Sequence, residues 1–518
     1  MKRYIFDPLY GIIYLPDFVW KVIPSTELQR LREIRLCNIN SFCLTGGANI
    51  NRYEHAIGTC YLAIECLKHW PALNPITKEE NRQFVLAALL HDVLNAPFGH
   101  SVQYIESREG YEPEKDFRNV IVEDSEERYR YRKARLEPIF FGMPKELSSK
   151  VTSEDLLSIG RIIEGKGRFG PLVNGSIDLD NIDNVFRFSY HLGITKSGEA
   201  ALSLARSMWI QKGEVVVKRE SLPLVEHWYE TRRKLYAFLL LNPEEFSAKC
   251  MLSEAFEFAK TYASFTFSWH DTDFEFLKKL SCVPPVKEDV KERLFEISGE
   301  FKNDLNGHII SKKLVELFGQ NEQALSPRVT LNSIVDGWKL VDKTKVYVIV
   351  DKGEKLCVYK IIPRGIEIST IVKRLMKGEL YGCIGIFSSA KTEKHALFED
   401  LDKRREMENR ISTQIRRKFA PRFSKAIVVF HLIKDIDKTE RQVKLRTDDD
   451  GYAQIGKSSS RLLIGSFFRN FNLTMYDIDP YSETSKRVRS EIGAYLSQEL
   501  QDPNLKELEL YGEAGLNQ

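Results

Sequence analysis

The chain has 518 residues, 43% apolar and 29% charged, with a formal net charge of +3 at pH 7. That length builds one large core or two to three smaller ones, and the composition is globular, with little room for extended disorder. So small a net charge excludes the broad basic field that drives sequence-independent binding to duplex nucleic acid. A local phosphate-binding pocket, and nucleic acid as its partner, stay open.

In chain order, the opening MKRYIFDPLYGIIYLPDFVW is broken by Asp7, Pro8 and Asp17 before a signal-peptide core can form. No apolar run approaches the ~20 residues of a membrane span, so no membrane partner is expected. The eight cysteines (Cys37, Cys43, Cys60, Cys66, Cys250, Cys282, Cys357, Cys383) form no CxxC pair, and several sit in apolar helical patterns such as YLAIECL. They read as reduced core residues of a cytoplasmic protein.

Apolar positions at helical spacing, or in dense buried runs, predict helices over 53–70, 82–94, 177–191, 223–241 and 246–263. From about 340 the texture turns β-rich. KVYVIV, the turn DKGEK and LCVYKII read as a hairpin, followed by strands in LYGCIGIF and KAIVVFHLI. Helical segments near 365–377, 404–419 and 485–500 alternate with them. The expected fold class is a mainly α helical core over 1–330, then a smaller α/β (α+β) region over 340–505 and a tail over 506–518, the boundary falling in 320–342. The mixed-charge stretches EDSEERYRYRKARLEP (123–138) and EDLDKRREMENR (399–410) read as solvated helix faces or mobile lids.

In FVLAALLHDVLNAPFGHS, His91 and Asp92 follow a seven-residue apolar run. Burying two such groups without partners would cost several kcal/mol. A divalent cation is one strong partner, because imidazole and carboxylate together suit zinc, iron, manganese or magnesium-like ions. A hydrogen-bonded core pair is the alternative. His55, in NRYEH, opens another apolar helix whose ring can face the first. SIDLDNIDNVFR carries Asp178, Asp180 and Asp183 at the head of a third helix, where they serve either as ligands or as N-terminal caps.

The order H, then HD, then D, with these neighbours, resembles the HD superfamily. Within it the chain is most similar to the deoxynucleoside triphosphate triphosphohydrolases, which include bacterial dGTPases and the animal enzyme that joins a SAM domain to an HD domain. FDPLYGIIYLPD resembles the family's opening D-P-x-x-G strand pair, ELQRLREIRL its first helix and NRYEHAIGTCYLA its first histidine helix. HDVLNAPFGH is close to the bacterial dGTPase form of the HD motif, and IDLDNIDNVFRFSYHLGI to the last aspartate helix. Nothing beyond 340 matches, and no SAM domain is found.

The resemblance implies an HD-domain helical core in which His55, His91, Asp92 and Asp180 hold a divalent metal, whether Mg2+, Mn2+, Zn2+ or Fe2+. Such a site lowers the pKa of a water for attack on phosphorus. In this family the attack falls on the α-phosphate of a deoxynucleoside triphosphate and releases nucleoside and tripolyphosphate. By the same match His100 is the candidate general acid and Arg52 and Arg232 contact the triphosphate. Tyr236 borders the nucleoside, and Asn95, the Asn that follows HD-x-x, joins the substrate-binding set. Gln29 and Arg32 match base-reading positions of a regulatory site. A nucleotide effector, a homo-oligomer (dimer, tetramer or hexamer) and a role in lowering nucleotide pools, for housekeeping or against an invading phage, follow as expectations.

The departures concern substrate handling. Asn181 stands where the animal enzyme has a phosphate-binding lysine, Asn184 where it has a sugar-contacting tyrosine, and Phe188 where it has an aspartate. Leu36 aligns with a glutamine that reads the sugar, with Asn38 or Asn40 as substitutes. Gln103 replaces an acidic residue, and the stretch ESREGYEPEKDF lacks the second catalytic histidine. There Glu106, Glu112 and Glu114 are available, with Glu112 the candidate for proton transfer. A phosphodiesterase or nuclease acting on single-stranded nucleic acid or a cyclic or oligonucleotide messenger, and a low-turnover nucleotide-binding regulator, remain open alternatives.

Overall fold

A computed structural model of the chain describes residues 3–37, 49–106, 150–263, 265–267, 271–302, 329–334, 337–342, 345–436, 441–457, 460–469 and 482–508, with 117, 315, 316 and 319 as single positions. A short hairpin, β1 (Ile5–Asp7) and β2 (Gly11–Ile13), is followed by α1 (Asp17–Val22) and α2 (Thr26–Arg30). Then come α3 (Arg52–Lys68), α4 (Lys78–Leu90), α5 (His100–Glu106), α6 (Ser153–Ile163), α7 (Leu179–His191) and α8 (Glu199–Arg206).

The helix starts are chemically marked. Asn51 caps α3 by accepting from Glu54 N, Thr77 and Glu80 form a reciprocal capping box on α4, and Asp178 caps α7 by accepting from Asn181 N. Helix α4 ends at Leu90 and not at 94. His91–Leu94 turn, with Val93 N donating to Leu90 O and Asn95 N to Asp92 O, because Asp92 and Asn95 prefer local bonding and Pro97 disfavours helix before it.

These helices bury one core, with Ala56, Cys60, Phe84, Leu89, Ile159, Val185 and Phe186 among its fully buried members. Each large apolar side chain so buried contributes about 1.5–3 kcal/mol. Two residues of that core, Val443 and Leu445, come from far down the chain. Strands β3 (Met208–Gln211) and β4 (Glu214–Val217) form a hairpin turned by Lys212 and Gly213, both at positive φ (54° and 81°).

Helices α9 (Leu222–Leu241) and α10 (Pro243–Ala263) follow, then α11 (Asp273–Ser281). Strands β5 (Val286–Ser298), β6 (Val329–Ile334), β7 (Gly337–Asp342), β8 (Lys345–Asp351) and β9 (Lys355–Ile366) make an antiparallel sheet in the order β5-β9-β8-β7-β6. The expected hairpin is β8–β9, with Asp351 opposite Leu356.

Helix α12 (Ile368–Lys377) leads to β10 (Gly382–Ser389), and α13 (Leu401–Lys418) to β11 (Val428–Ile436). Strands β12 (Val443–Thr447) and β13 (Tyr452–Ile455) return to the first body, where β12 lies parallel to β4. Strand β14 (Ser460–Phe468), α14 (Glu483–Leu500) and β15 (Lys506–Leu508) complete a second sheet, β11-β14-β10-β15. The fold is a helical core followed by an α+β region, as the sequence patterns imply.

A second core joins Phe98 and Val102 to Phe246 and Met251 of α10, Ile371 of α12 and Phe467 of β14. The stretch 399–410 is corrected here: α13 is not a solvated face. Arg404, Arg405 and Glu408 are buried, because Glu254 and Glu257 of α10 supply the opposite charges. The stretch 123–138 lies outside the described residues. Among the described residues no helix is long and apolar enough to cross a membrane, and Cys37, Cys60, Cys66, Cys250, Cys357 and Cys383 are buried and outside any disulfide, with Cys282 exposed.

Candidate metal centre

His55 occupies the first turn of α3, His91 the residue just past α4, and Asp180 the first turn of α7. One ligand atom from each lies within 4.8 Å of the others, and among the described residues this is a cluster that can hold a metal ion. His55 is 1% exposed, while Asp180 is half-buried.

Hydrogen bonding fixes how the two imidazoles present themselves. His55 Nδ1 lies 2.7 Å from Asp183 Oδ2, and His91 Nδ1 lies 2.9 Å from Ala88 O. Both partners only accept, so each Nδ1 carries a proton, and with a cation bound at the cluster each neutral ring presents a bare Nε2. Those two nitrogens are 3.2 Å apart, and His55 Nε2 is 2.9 Å from Asp180 Oδ1, with His91 Nε2 3.6 Å from the same oxygen. Two lone pairs and a carboxylate aimed at one point repel unless a positive charge sits among them. A divalent cation is such a charge, and this donor set suits it.

The electrostatics state the same demand. Burial pulls the His55 pKa down, yet hydrogen bonds to Asp180 and Asp183 carry it up to about 10. Burial also opposes ionisation of Asp180, but the neighbouring His91 and His55 hold it well below the usual carboxylate range.

Asp92 stands beside the cluster. Its oxygens are 3.7 Å from His91 Nε2 and 4.0 Å from His55 Nε2, and both are engaged, one by Arg52 Nη1 at 2.7 Å and the other by Asn95 Nδ2. Arg52 and Asn95 therefore lie at the cluster's edge. Arg232, 4% exposed, donates from Nε to Asn181 Oδ1 at 3.2 Å, with its guanidinium 4.5 Å from the Tyr236 ring centroid. Asn184 and Tyr236 line the same cleft as His55, His91, Asp92 and Asp180. That cleft opens to solvent, with about 1010 Å³ free of protein atoms when its mouth is included. Leu36 and Phe188 also line it.

Gln29 and Arg32 lie elsewhere. Gln29 Nε2 donates to Ile23 O, Arg32 Nε donates to Gln29 Oε1 at 2.8 Å, and Arg32 lines a separate groove with Phe98, Asp273 and Phe274. Glu112 lies outside the described residues, as do Glu114, Asn38 and Asn40. The side chains of His100, which opens α5, and of Glu106 are not among those described.

The sequence left Asp178 and Asp183 open between ligand and cap. Asp178 is a cap, accepting from Gly175 N and Asn181 N. Asp183 is not a cap. Beyond His55 it accepts from the Tyr10 hydroxyl at 2.8 Å and from Arg187, which also pairs with Asp7 and Glu54. Asp183 and Arg187 are 0% exposed. Burial raises the Asp183 carboxyl, and Arg187 with His55 outweighs it and leaves the group ionised. The four-residue spacing of Asp183 and Arg187 on a helix was the available signal.

Residues 52–154 match the family model of the HD domain. The uncharacterized protein YwfO of Bacillus subtilis is 25% identical over 257 residues, 49% of this chain and 55% of that one. The deoxynucleoside triphosphate triphosphohydrolase SAMHD1 homolog of Dictyostelium discoideum is 23% identical over 267 residues, 49% of each chain. The chain thus spans about half the length of the curated relatives it matches. Among solved structures, a phosphohydrolase from Bacteroides thetaiotaomicron VPI-5482 superposes with a TM-score of 0.48 and 16% identity, over 91% of this chain and 100% of that one. The chain therefore carries an HD domain, whose matched span holds His55, His91 and Asp92 while Asp180 joins them from α7.

Proposed function

We propose that the chain is a metal-dependent phosphohydrolase that splits deoxynucleoside triphosphates into deoxynucleoside and tripolyphosphate. The observation that carries this reading is the convergence of the bare Nε2 atoms of His55 and His91 on Asp180 at the floor of an open cleft. A divalent cation held there supplies a Lewis acid for the phosphoryl oxygen and a water of lowered pKa.

The chain's own groups do the rest. Asp183 and Ala88 O fix the histidine tautomers, so that both lone pairs face the cleft. Arg52 and Arg232 offer planar guanidinium groups that match phosphate oxygens. By the motif match His100 is the candidate proton donor to the leaving oxygen, and Asp92 holds Arg52 beside the cluster. The Dictyostelium relative is named a deoxynucleoside triphosphate triphosphohydrolase, which supports the choice of substrate. Regulation by a nucleotide through Gln29 and Arg32, assembly as a homo-oligomer, and depletion of nucleotide pools in housekeeping or defence belong to the same reading.

The test is chromatography of a four-dNTP mixture incubated with the protein and each divalent ion in turn, with tripolyphosphate quantified. Tripolyphosphate and deoxynucleoside in equal amounts, lost in His91→Ala, support the reading. Intact dNTPs across all ions overturn it. A phosphodiesterase acting on oligonucleotides is the second reading, favoured by apolar Leu36 and Phe188 in the cleft wall where sugar-reading polar groups were expected. Cleavage of labelled oligonucleotides with dNTPs left intact would select it.

A further inference from the structure

The cleft contains a cation that neither the motifs nor the metal cluster uses. Lys249, on α10, is 4% exposed and lies in the cleft wall with Tyr236, Leu239 and Leu36. Its Nζ donates to Leu239 O at 2.9 Å. An ammonium has three donors, and this bond uses one.

Of the other buried cations around the cleft, Arg232 bonds the amide oxygen of Asn181, and two are matched by acids. Arg52 pairs with Asp92, and Arg187 with Asp7, Glu54 and Asp183. Lys249 has no carboxylate partner among the described residues, only that backbone carbonyl. A buried ammonium with no carboxylate bonded to it is unfavourable, and an anionic ligand arriving in the same cleft supplies the missing contact.

A structural explanation is also on hand. Leu239 lies in the last turn of α9, where a cation complements the helix dipole. That accounts for the hydrogen bond, but an exposed lysine would serve it equally well without burial in the wall of a binding cleft.

We propose that Lys249 is an anion contact of the cleft, its ammonium binding a phosphate oxygen of the bound substrate. The inference rests on the reading of this cleft as a phosphohydrolase site and adds to it a residue from α10, outside the segments of the motif match.

The experiment compares the metal-loaded full chain with Lys249→Gln and Lys249→Arg. Gln keeps a donor for Leu239 O and removes the charge, whereas Arg keeps the charge. Inorganic triphosphate is the binding probe, and KM, kcat and the melting temperature are measured alongside. Loss of a charge-assisted hydrogen bond predicts that Lys249→Gln weakens triphosphate binding and raises KM for dNTP by roughly 10–100-fold, with kcat changed far less and Lys249→Arg recovering much of the binding.

Unchanged triphosphate binding in Lys249→Gln overturns the proposal, and a lowered melting temperature in that case marks a helix-end lysine. A raised KM with unchanged triphosphate binding overturns the phosphate assignment as well. If the wild type hydrolyses no dNTP at all, the hydrolytic reading fails by itself, and the triphosphate comparison still decides the role of Lys249.

Discussion

Asp183 Oδ2 accepts from His55 Nδ1 at 2.7 Å while the same carboxylate receives Arg187, so one fully buried group both orients a putting-forward imidazole and answers a buried guanidinium. The pairing ties the cleft to the N-terminal hairpin, since Arg187 also reaches Asp7 and Tyr10 donates to Asp183. Replacing Asp183 by Asn removes the acceptor that fixes the tautomer. Such outer partners typically govern metal affinity by about 10–100-fold, and a loss of that size is expected in Mn2+ titration against a competing chelator. Unchanged affinity would count against an orienting role.

Gly58, one turn after His55, admits this arrangement. A Cβ there would collide with Arg187 Nη2 and Asp183 Oδ1. Gly58→Ala must push apart a buried ion pair, which typically costs ~3–5 kcal/mol when broken. Urea unfolding should show a destabilisation of at least ~2 kcal/mol, and a neutral result would contradict the packing described here.

A second buried charge group lies between α10 and α13. Glu254 accepts from Arg405 at 2.7 Å, from Arg469 at 2.8 Å and from the Tyr381 hydroxyl at 2.6 Å. Burial pushes its carboxyl up, but Arg469 and Arg405 outweigh this and hold it below the ordinary value of 4.5. A carboxylate depressed in the folded state stabilises the fold above its unfolded pKa and loses that contribution as pH falls through its folded pKa. Glu254→Gln is therefore expected to lose ~3–5 kcal/mol at pH 7. The gap from wild type closes as the pH drops below 4.5, measured by urea midpoints across pH.

Arg232 bonds Asn181 and stacks on Tyr236 through one planar group. Lysine reproduces its charge but not its fork. Arg232→Lys should raise KM for dNTP by about tenfold with kcat less affected, since a bidentate or stacked arginine is not replaced by an ammonium. An unchanged KM would place Arg232 outside substrate contact.

Much of this was legible in the sequence, for physical reasons. The helical spacing of 53–70 and 177–191 identifies α3 and α7, and the motif order H, HD, D singles out His55, His91, Asp92 and Asp180, of which three cluster while Asp92 stands beside them. Other features do not follow from apolar periodicity. The end of α4 at Leu90 depends on the local bonding of Asp92 and Asn95. The parallel pairing of β12 with β4 joins segments more than two hundred residues apart, which no local pattern encodes. The charges of α13 read as solvated because Glu254 and Glu257, their partners, belong to another helix. Lys249 sits in an ordinary amphipathic pattern, and only the fold turns it to the cleft.

The functional reading requires that His55, His91 and Asp180 jointly bind one divalent cation. Anomalous diffraction from crystals of the full chain grown with Mn2+ tests it most directly. A strong anomalous peak bounded by Nε2 of His55, Nε2 of His91 and the Asp180 carboxylate is expected, absent in His91→Ala. A wild-type map with no peak there, under saturating Mn2+, would contradict it.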